Sequence, residues 1–235
     1  MSRLLFVAIL SVCLIVALSG ALVADDAAMV YVIHGIPGAD LGLDPALPVD
    51  VAIDGQCAIA GLVFGDIVGP VALPAGDYLV EISLASDPPC DNPAVISAVV
   101  PIIAGENATI IAHLTEGGVP TASKFVNDVS KTGPGLARVA VRHTAAAPAV
   151  DVYVARPGPM SPGIVIENLM NPEEATAEFR PGNWWVSIAP AGEMDLVFGP
   201  VQVRLSPFTG YAVYAVGSLT NETFTLITQV FPKLR

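Results

Sequence analysis

Charge is scarce in this 235-residue chain and positive charge scarcest, with 10 Lys and Arg against 22 Asp and Glu, a formal charge of −12 and a pI near 4.4. Nucleic acid and anionic membrane surfaces both demand a basic face, so neither is an expected partner. Aromatic residues make up 6% of the chain and there are 3 cysteines. Neither Cys57 nor Cys90 has a second Cys or His at ligand spacing, which argues against a thiolate metal site. No stretch carries a 3.6-residue apolar period, so amphipathic helices are not expected. Phosphate-binding loops, dinucleotide fingerprints, GxSxG elbows and HExxH helices are also missing. No cofactor is implied.

What the chain has in abundance is turn punctuation. With 21 Gly and 21 Pro in a composition that is 53% hydrophobic, it reads as an all-β exported protein. Arg3 precedes an apolar run, Leu4–Leu18, and the small residues Ser19-Gly20-Ala21. That is the pattern of a secretory signal peptide over residues 1–24, with cleavage after Ala21 or after Ala24. The alternative is a retained anchor, for which the run is short. Cys13 sits in the middle of the run behind Ser11-Val12, the wrong place for a lipid anchor. With no second hydrophobic span, the mature chain is expected in the extracellular space, periplasm or cell envelope. There Cys57 and Cys90 are expected to form one loop-to-loop disulfide, the alternative being two buried thiols.

The chain is a tandem repeat. Val30–Asp54 returns, shortened, as Val139–Val154: a β-type run ending in His34 or His143, a Pro-containing connection, and a second run with Asp50 or Asp151 as its second residue. Short runs punctuated by turns, roughly seven per unit, predict two tandem immunoglobulin-like β-sandwich domains at 27–130 and 136–235. Lys131–Gly135 is the expected linker. Leu73–Ile82 matches Arg180–Ile188 with one residue fewer in the second turn, and the first unit carries an insertion, Ala39–Leu47.

The segment Arg138–His143 followed by Pro148–Val154 resembles the opening of the DUF4397 domain, and Pro181–Trp184 and Tyr211–Val216 are similar to later strands of that family. The resemblance covers the second unit well and the first more loosely. It implies a bacterial exported domain with a β-sandwich fold and no assigned activity.

Several residues are candidates for chemistry. His34 and His143 share parity with core valines, and Asp50 and Asp151 lie off that parity. The pairs are expected to fix the loop between their strands, the alternative being a His–Asp dyad or metal site in each unit. Asp40, Asp44, Asp50 and Asp54 offer hard oxygen ligands suited to Ca²⁺, against which stands a solvated acidic loop. Trp184 has core parity. Trp185 falls on the outer face and is a platform for a glycan or protein partner, unless it packs under a loop or against the other unit. Glu173-Glu174 is a weak carboxylate pair for glycoside chemistry. Two sequons, Asn107-Ala108-Thr109 and Asn221-Glu222-Thr223, are expected at accessible turn-to-strand positions. The residues together point to a non-enzymatic binding, adhesion or scaffolding module. The rivals are a glycan-active hydrolase with its site between the units and a carrier of a small apolar ligand.

Overall fold

The computed structural model describes residues 26–156 and 163–234, so the expected signal peptide lies outside the described residues. Eight strands form the first unit: β1 (Ala28–His34), β2 (Val49–Ile53), β3 (Gln56–Leu62), β4 (Ile67–Leu73), β5 (Gly76–Leu84), β6 (Ala94–Ile102), β7 (Asn107–Leu114) and β8 (Pro120–Val126). They make two four-stranded sheets, ordered β4-β1-β7-β8 and β3-β2-β5-β6. The second unit has β9 (Ala137–His143), β10 (Val150–Ala155), β11 (Ile164–Leu169), β12 (Glu174–Phe179), β13 (Gly182–Pro190), β14 (Phe198–Leu205), β15 (Gly210–Val216) and β16 (Thr225–Phe231). Its sheets, β12-β9-β15-β16 and β11-β10-β13-β14, repeat the first unit strand for strand. In both units the first strand pairs parallel with the seventh, β1 with β7 and β9 with β15.

Alternation explains each core. Val30 and Val32 of β1 and Ile110 and Leu114 of β7 face Val49 and Val51 of β2 and Val80 and Ile82 of β5 across the first sandwich. In the second, Val141 opposes Val150, Val152, Trp184 and Ile188. The register sets Trp184 opposite Val203, as Tyr78 stands opposite Val100, so the aromatic turn strands are equivalent as read from sequence. Leu73 then corresponds to Phe179, each pairing with the first residue of its unit's opening strand, Ala28 or Ala137. The two turns are therefore of equal length, and the expected one-residue deletion is not there.

Three strands escape the seven-run count. β3, β11 and β12 are edge strands with mostly exposed or half-buried residues, such as Glu174-Ala-Thr-Ala-Glu-Phe179. Edges carry polar and small residues that blunt pairing with other chains, so they lack the alternation of buried strands.

The sandwiches stack face to face. Ile33, Ile111 and Phe125 on the outer side of β1, β7 and β8 pack on Ala212, Tyr214, Val216, Ile227 and Phe231 of β15 and β16. Tyr31 meets Phe231 edge-on with centroids 5.8 Å apart, and Phe125 meets Tyr214 at 6.1 Å. Strand β1 is therefore apolar on both faces, one for its own core and one for its neighbour. The linker is clamped, not loose: Arg138 donates to the Asp128 and Ser130 carbonyls at 2.9 and 3.0 Å and pairs with Glu178 at 3.1 Å.

Candidate functional site

The repeated His–Asp pairs do not converge. His34 Nε2–H donates to the Leu47 carbonyl at 2.8 Å while its Nδ1 accepts the Ile36 N–H at 3.4 Å. His143 does the same with the Pro148 carbonyl at 2.9 Å and the Ala145 N–H at 3.3 Å. Each imidazole is a neutral bracket between strand end and loop, and burial holds both pKa values below the usual histidine range although the carbonyl bonds pull the other way. Asp50 and Asp151 do not cap those histidine loops as expected. On the opposite face, Asp50 accepts N–H groups from Gly61, Ser86 and Cys90 at 2.9, 3.0 and 2.8 Å. Asp151 accepts those of Asn168 and Gly192 at 2.8 and 2.9 Å. Burial alone would raise the Asp50 pKa; the N–H bonds led by Cys90 outweigh it and hold the carboxyl low. For Asp151 the Gly192 and Asn168 N–H bonds do the same.

The acidic residues of the first unit are likewise dispersed. Asp44 binds the Ala46 N–H at 2.9 Å and Asp54 the Leu79 N–H at 2.8 Å. Asp40, on a single 3-10 turn at Gly38–Leu41, reaches the second sandwich and accepts from Thr223 Oγ1 at 2.7 Å and Asn221 Nδ2 at 3.1 Å. That turn needs Gly38, since a Cβ there would lie 1.7 Å from the Asp44 carbonyl oxygen. Among the described residues no group of three or more His, Cys, Asp or Glu could hold a metal, so Asp40, Asp44, Asp50 and Asp54 do not assemble into the alternative Ca²⁺ cluster. The insertion instead clamps the two units together.

The disulfide forms between Cys57 and Cys90, with Cα atoms 5.7 Å apart. Cys57 lies in strand β3 rather than in a loop, so the bridge ties an edge strand to the β5–β6 loop. The sequons are not free either. Asn221 is engaged by Asp40, Thr109 is fully buried, and Asn107 accepts the Asn127 amide at 2.8 Å. Glu173 caps the Met170 N–H at 3.0 Å, and Glu174 pairs with Arg142 at 2.5 Å.

Arg142 is the residue whose role the sequence hid. It is 1% exposed, its guanidinium lies 4.7 Å from the Phe125 ring centroid, and it donates to Asn127 Oδ1 at 2.9 Å and to the Tyr214 hydroxyl. Tyr214 in turn donates to Gln229 Oε1 at 3.0 Å, which also accepts the Thr109 hydroxyl at 2.9 Å. This network crosses between the sandwiches where a hydrolase cleft was the alternative. His113, equally unread, is buried at the same layer and bonds the Leu114 carbonyl at 2.9 Å and Ser123 Oγ at 2.8 Å. The only signal in the sequence was parity: Arg142 and His113 stand one residue off their core neighbours.

The feature that can receive a ligand is a cavity of about 370 Å³ between the two sheets of the second sandwich, lined by Val141, Val152, Trp184, Ile188, Val203 and Val213 among others. The corresponding space in the first sandwich is about 110 Å³. Register relates two of the differences. Ile110 and Ile53 of the first unit correspond to the smaller Val213 and Val154. Trp184 is held by its indole N–H donating to the Arg180 carbonyl at 2.9 Å, and by Phe179 edge-on at 5.0 Å. Trp185, as parity predicts, faces outward and is 37% exposed beside Ala155 and Gln202.

No curated protein matches the chain. Among solved structures, a putative cell adhesion protein from Bacteroides ovatus aligns at 10% identity over 90% of this chain and 99% of its own, with a TM-score of 0.29. The Bacillus anthracis TIE protein aligns at 8% identity and a TM-score of 0.26 over 81% of this chain, which spans only 33% of that protein. A leucine-rich repeat protein from Bacteroides thetaiotaomicron aligns at 10% identity, a TM-score of 0.22, and 82% and 26% of the two chains. The family match covers residues 28–153, the whole first sandwich, β9 and β10 as far as Tyr153, so it falls mainly on the unit where the resemblance was expected to be looser. On that match the chain belongs to the family of the domain of unknown function DUF4397.

Proposed function

We propose that this protein is an exported, non-enzymatic binding module of the envelope or extracellular space, and that its second sandwich carries a small apolar ligand. The observation that supports this reading is the apolar cavity of about 370 Å³, a volume in the range of small-molecule sites, roughly 300–1,000 Å³. Leaving such a volume empty forfeits dispersion contacts along its whole lining, whereas interiors normally close to crystal-like density. The Cys57–Cys90 disulfide suits an oxidising compartment. Among the described residues no helix is long and apolar enough to cross a membrane.

The chain has 2 tryptophans, so Trp185→Phe leaves Trp184 as the sole indole, inside the cavity. Titrating that variant with 1-decanol should give a saturable change in Trp184 emission. Adding Val203→Phe, which fills the space, should abolish the change with circular dichroism unaltered. A flat titration of the starting variant ends the carrier reading.

A second reading, contact with a protein or glycan partner, is favoured by the outer face on which Trp185 stands 37% exposed near Tyr153 and Val165. Capture on a glycan array or in a pull-down should then be lost in Trp185→Ala, and capture that survives the change removes this face from consideration.

A further inference from the structure

An apolar cavity leaves the chemistry of its ligand's head open, and the edge of the second sandwich supplies it. In the first unit the gap between edge strands β6 and β8 is shut by Lys124, whose Nζ donates to the Pro101 carbonyl at 2.6 Å and pairs with Glu106 at 2.9 Å. Register carries these positions to the second unit. Lys124 stands opposite Ile110 as Thr228 stands opposite Val213, and Pro101 opposite Asp77 as Arg204 stands opposite Asn183. The ammonium clamp is thus replaced by a short hydroxyl, and a cation moves to the facing strand.

Val201, Arg204 and Thr228 all line the cavity and all are exposed, so the cavity reaches solvent between β14 and β16. The Arg204 side chain forms no ion pair or hydrogen bond among the described residues, although the chain carries 22 acidic side chains. A second guanidinium lies against Trp184, another residue of the cavity lining. Arg156 lies 4.7 Å from the centroid of Trp184, the residue paired with Val203, and spends its donors on the Arg180 and Pro181 carbonyls at 3.4 and 3.1 Å. Arg180 is exposed in the same turn and has no carboxylate partner among the described residues. Arg204 is the charged residue in the cavity lining, and it has no counter-ion among the described residues.

From this juxtaposition, and resting on the carrier reading, we propose that the second sandwich binds a single-chain carboxylate, a fatty acid, with its tail between the sheets and its head held at the β14 edge by Arg204. A guanidinium presents a planar fork that matches a carboxylate, and a desolvated tail alone would not need one. The exposed rim keeps the head in contact with water, so no charge has to be buried.

The test compares decanoate with 1-decanol on the Trp185→Phe chain, with and without Arg204→Gln, by Trp184 emission and by isothermal calorimetry. Decanoate should bind more tightly than decanol, and Arg204→Gln should weaken decanoate by about tenfold while leaving decanol unchanged. Equal binding of the two probes with no effect of Arg204→Gln overturns the carboxylate assignment and leaves the cavity standing. Failure of both probes on the starting chain overturns the cavity reading and this one together.

Discussion

Each histidine in the described chain is committed to one neutral tautomer. In His34 and His143 the Nδ1 lone pair already receives a backbone N–H, and in His113 the Nδ1–H is given to the Leu114 carbonyl. Burial, the largest influence on all three, places their folded-state pKa values below the ordinary 6.5; His143 lowers that of His113 further. The unfolded chain takes up protons near pH 6.5 and the folded chain does so only at lower pH, so stability falls as pH drops below that point. Melting temperature should decline from about pH 7.5 to about pH 5, and His113→Gln should flatten part of the slope. A constant melting temperature across that interval would contradict the neutral, buried assignment. The carboxyls of Asp50, Asp128 and Asp151 are also shifted down, below 3.8, so the stability they contribute is present above that value and is lost as pH falls through a separate, more acidic window. Parity made the histidines legible as structural from the sequence alone. It did not reveal the partners of Asp50, because Gly61, Ser86 and Cys90 come from segments 11 to 40 residues away.

At the level of elements, Asp50 shows how an edge is secured. From the second strand of its sheet it holds the Gly61 N–H of edge strand β3 and two N–H groups of the β5–β6 loop, and Cys57–Cys90 ties the same two segments covalently. Asp50→Ala strands these donors, and with the side chain 1% exposed the expected loss is about 3 kcal/mol in denaturant unfolding. Asp50→Asn, which retains an acceptor oxygen, should recover part of it; equal losses for the two variants would mean that packing, not hydrogen bonding, is what Asp50 provides. Central strands such as Val49–Ile53 and Val139–His143 were readable because burial on one side imposes a two-residue rhythm. The edges β3, β11 and β12 were not, since strands half open to water need no such rhythm and are defined by their neighbours.

Across the whole molecule, the repeat in the sequence is a repeat in topology but not in use. The segment Arg138–His143 supplies a linker clamp, an interface arginine and a loop bracket, whereas its counterpart Met29–His34 keeps only the bracket, with Met29 and Ile33 at the two arginine positions. That difference was visible as letters, but its meaning depends on which face of β9 meets the first sandwich. The sequence likewise could not show that one core encloses more than three times the space of the other. At positions that only register relates, the more open core has valine where the tighter one has isoleucine, and its edge lacks the lysine, each an ordinary change alone.

The clasp of Asp40 on Asn221 and Thr223 also bears on how the protein is made. Oligosaccharide transfer acts on nascent chains, before the sandwiches have met. In a eukaryotic secretory host the Asn221 amide would acquire a bulky sugar at the very atom that Asp40 is meant to hold. The choice of expression host is therefore a choice between two molecules, and material from a cell without that machinery is the one in which the two halves can seat as described.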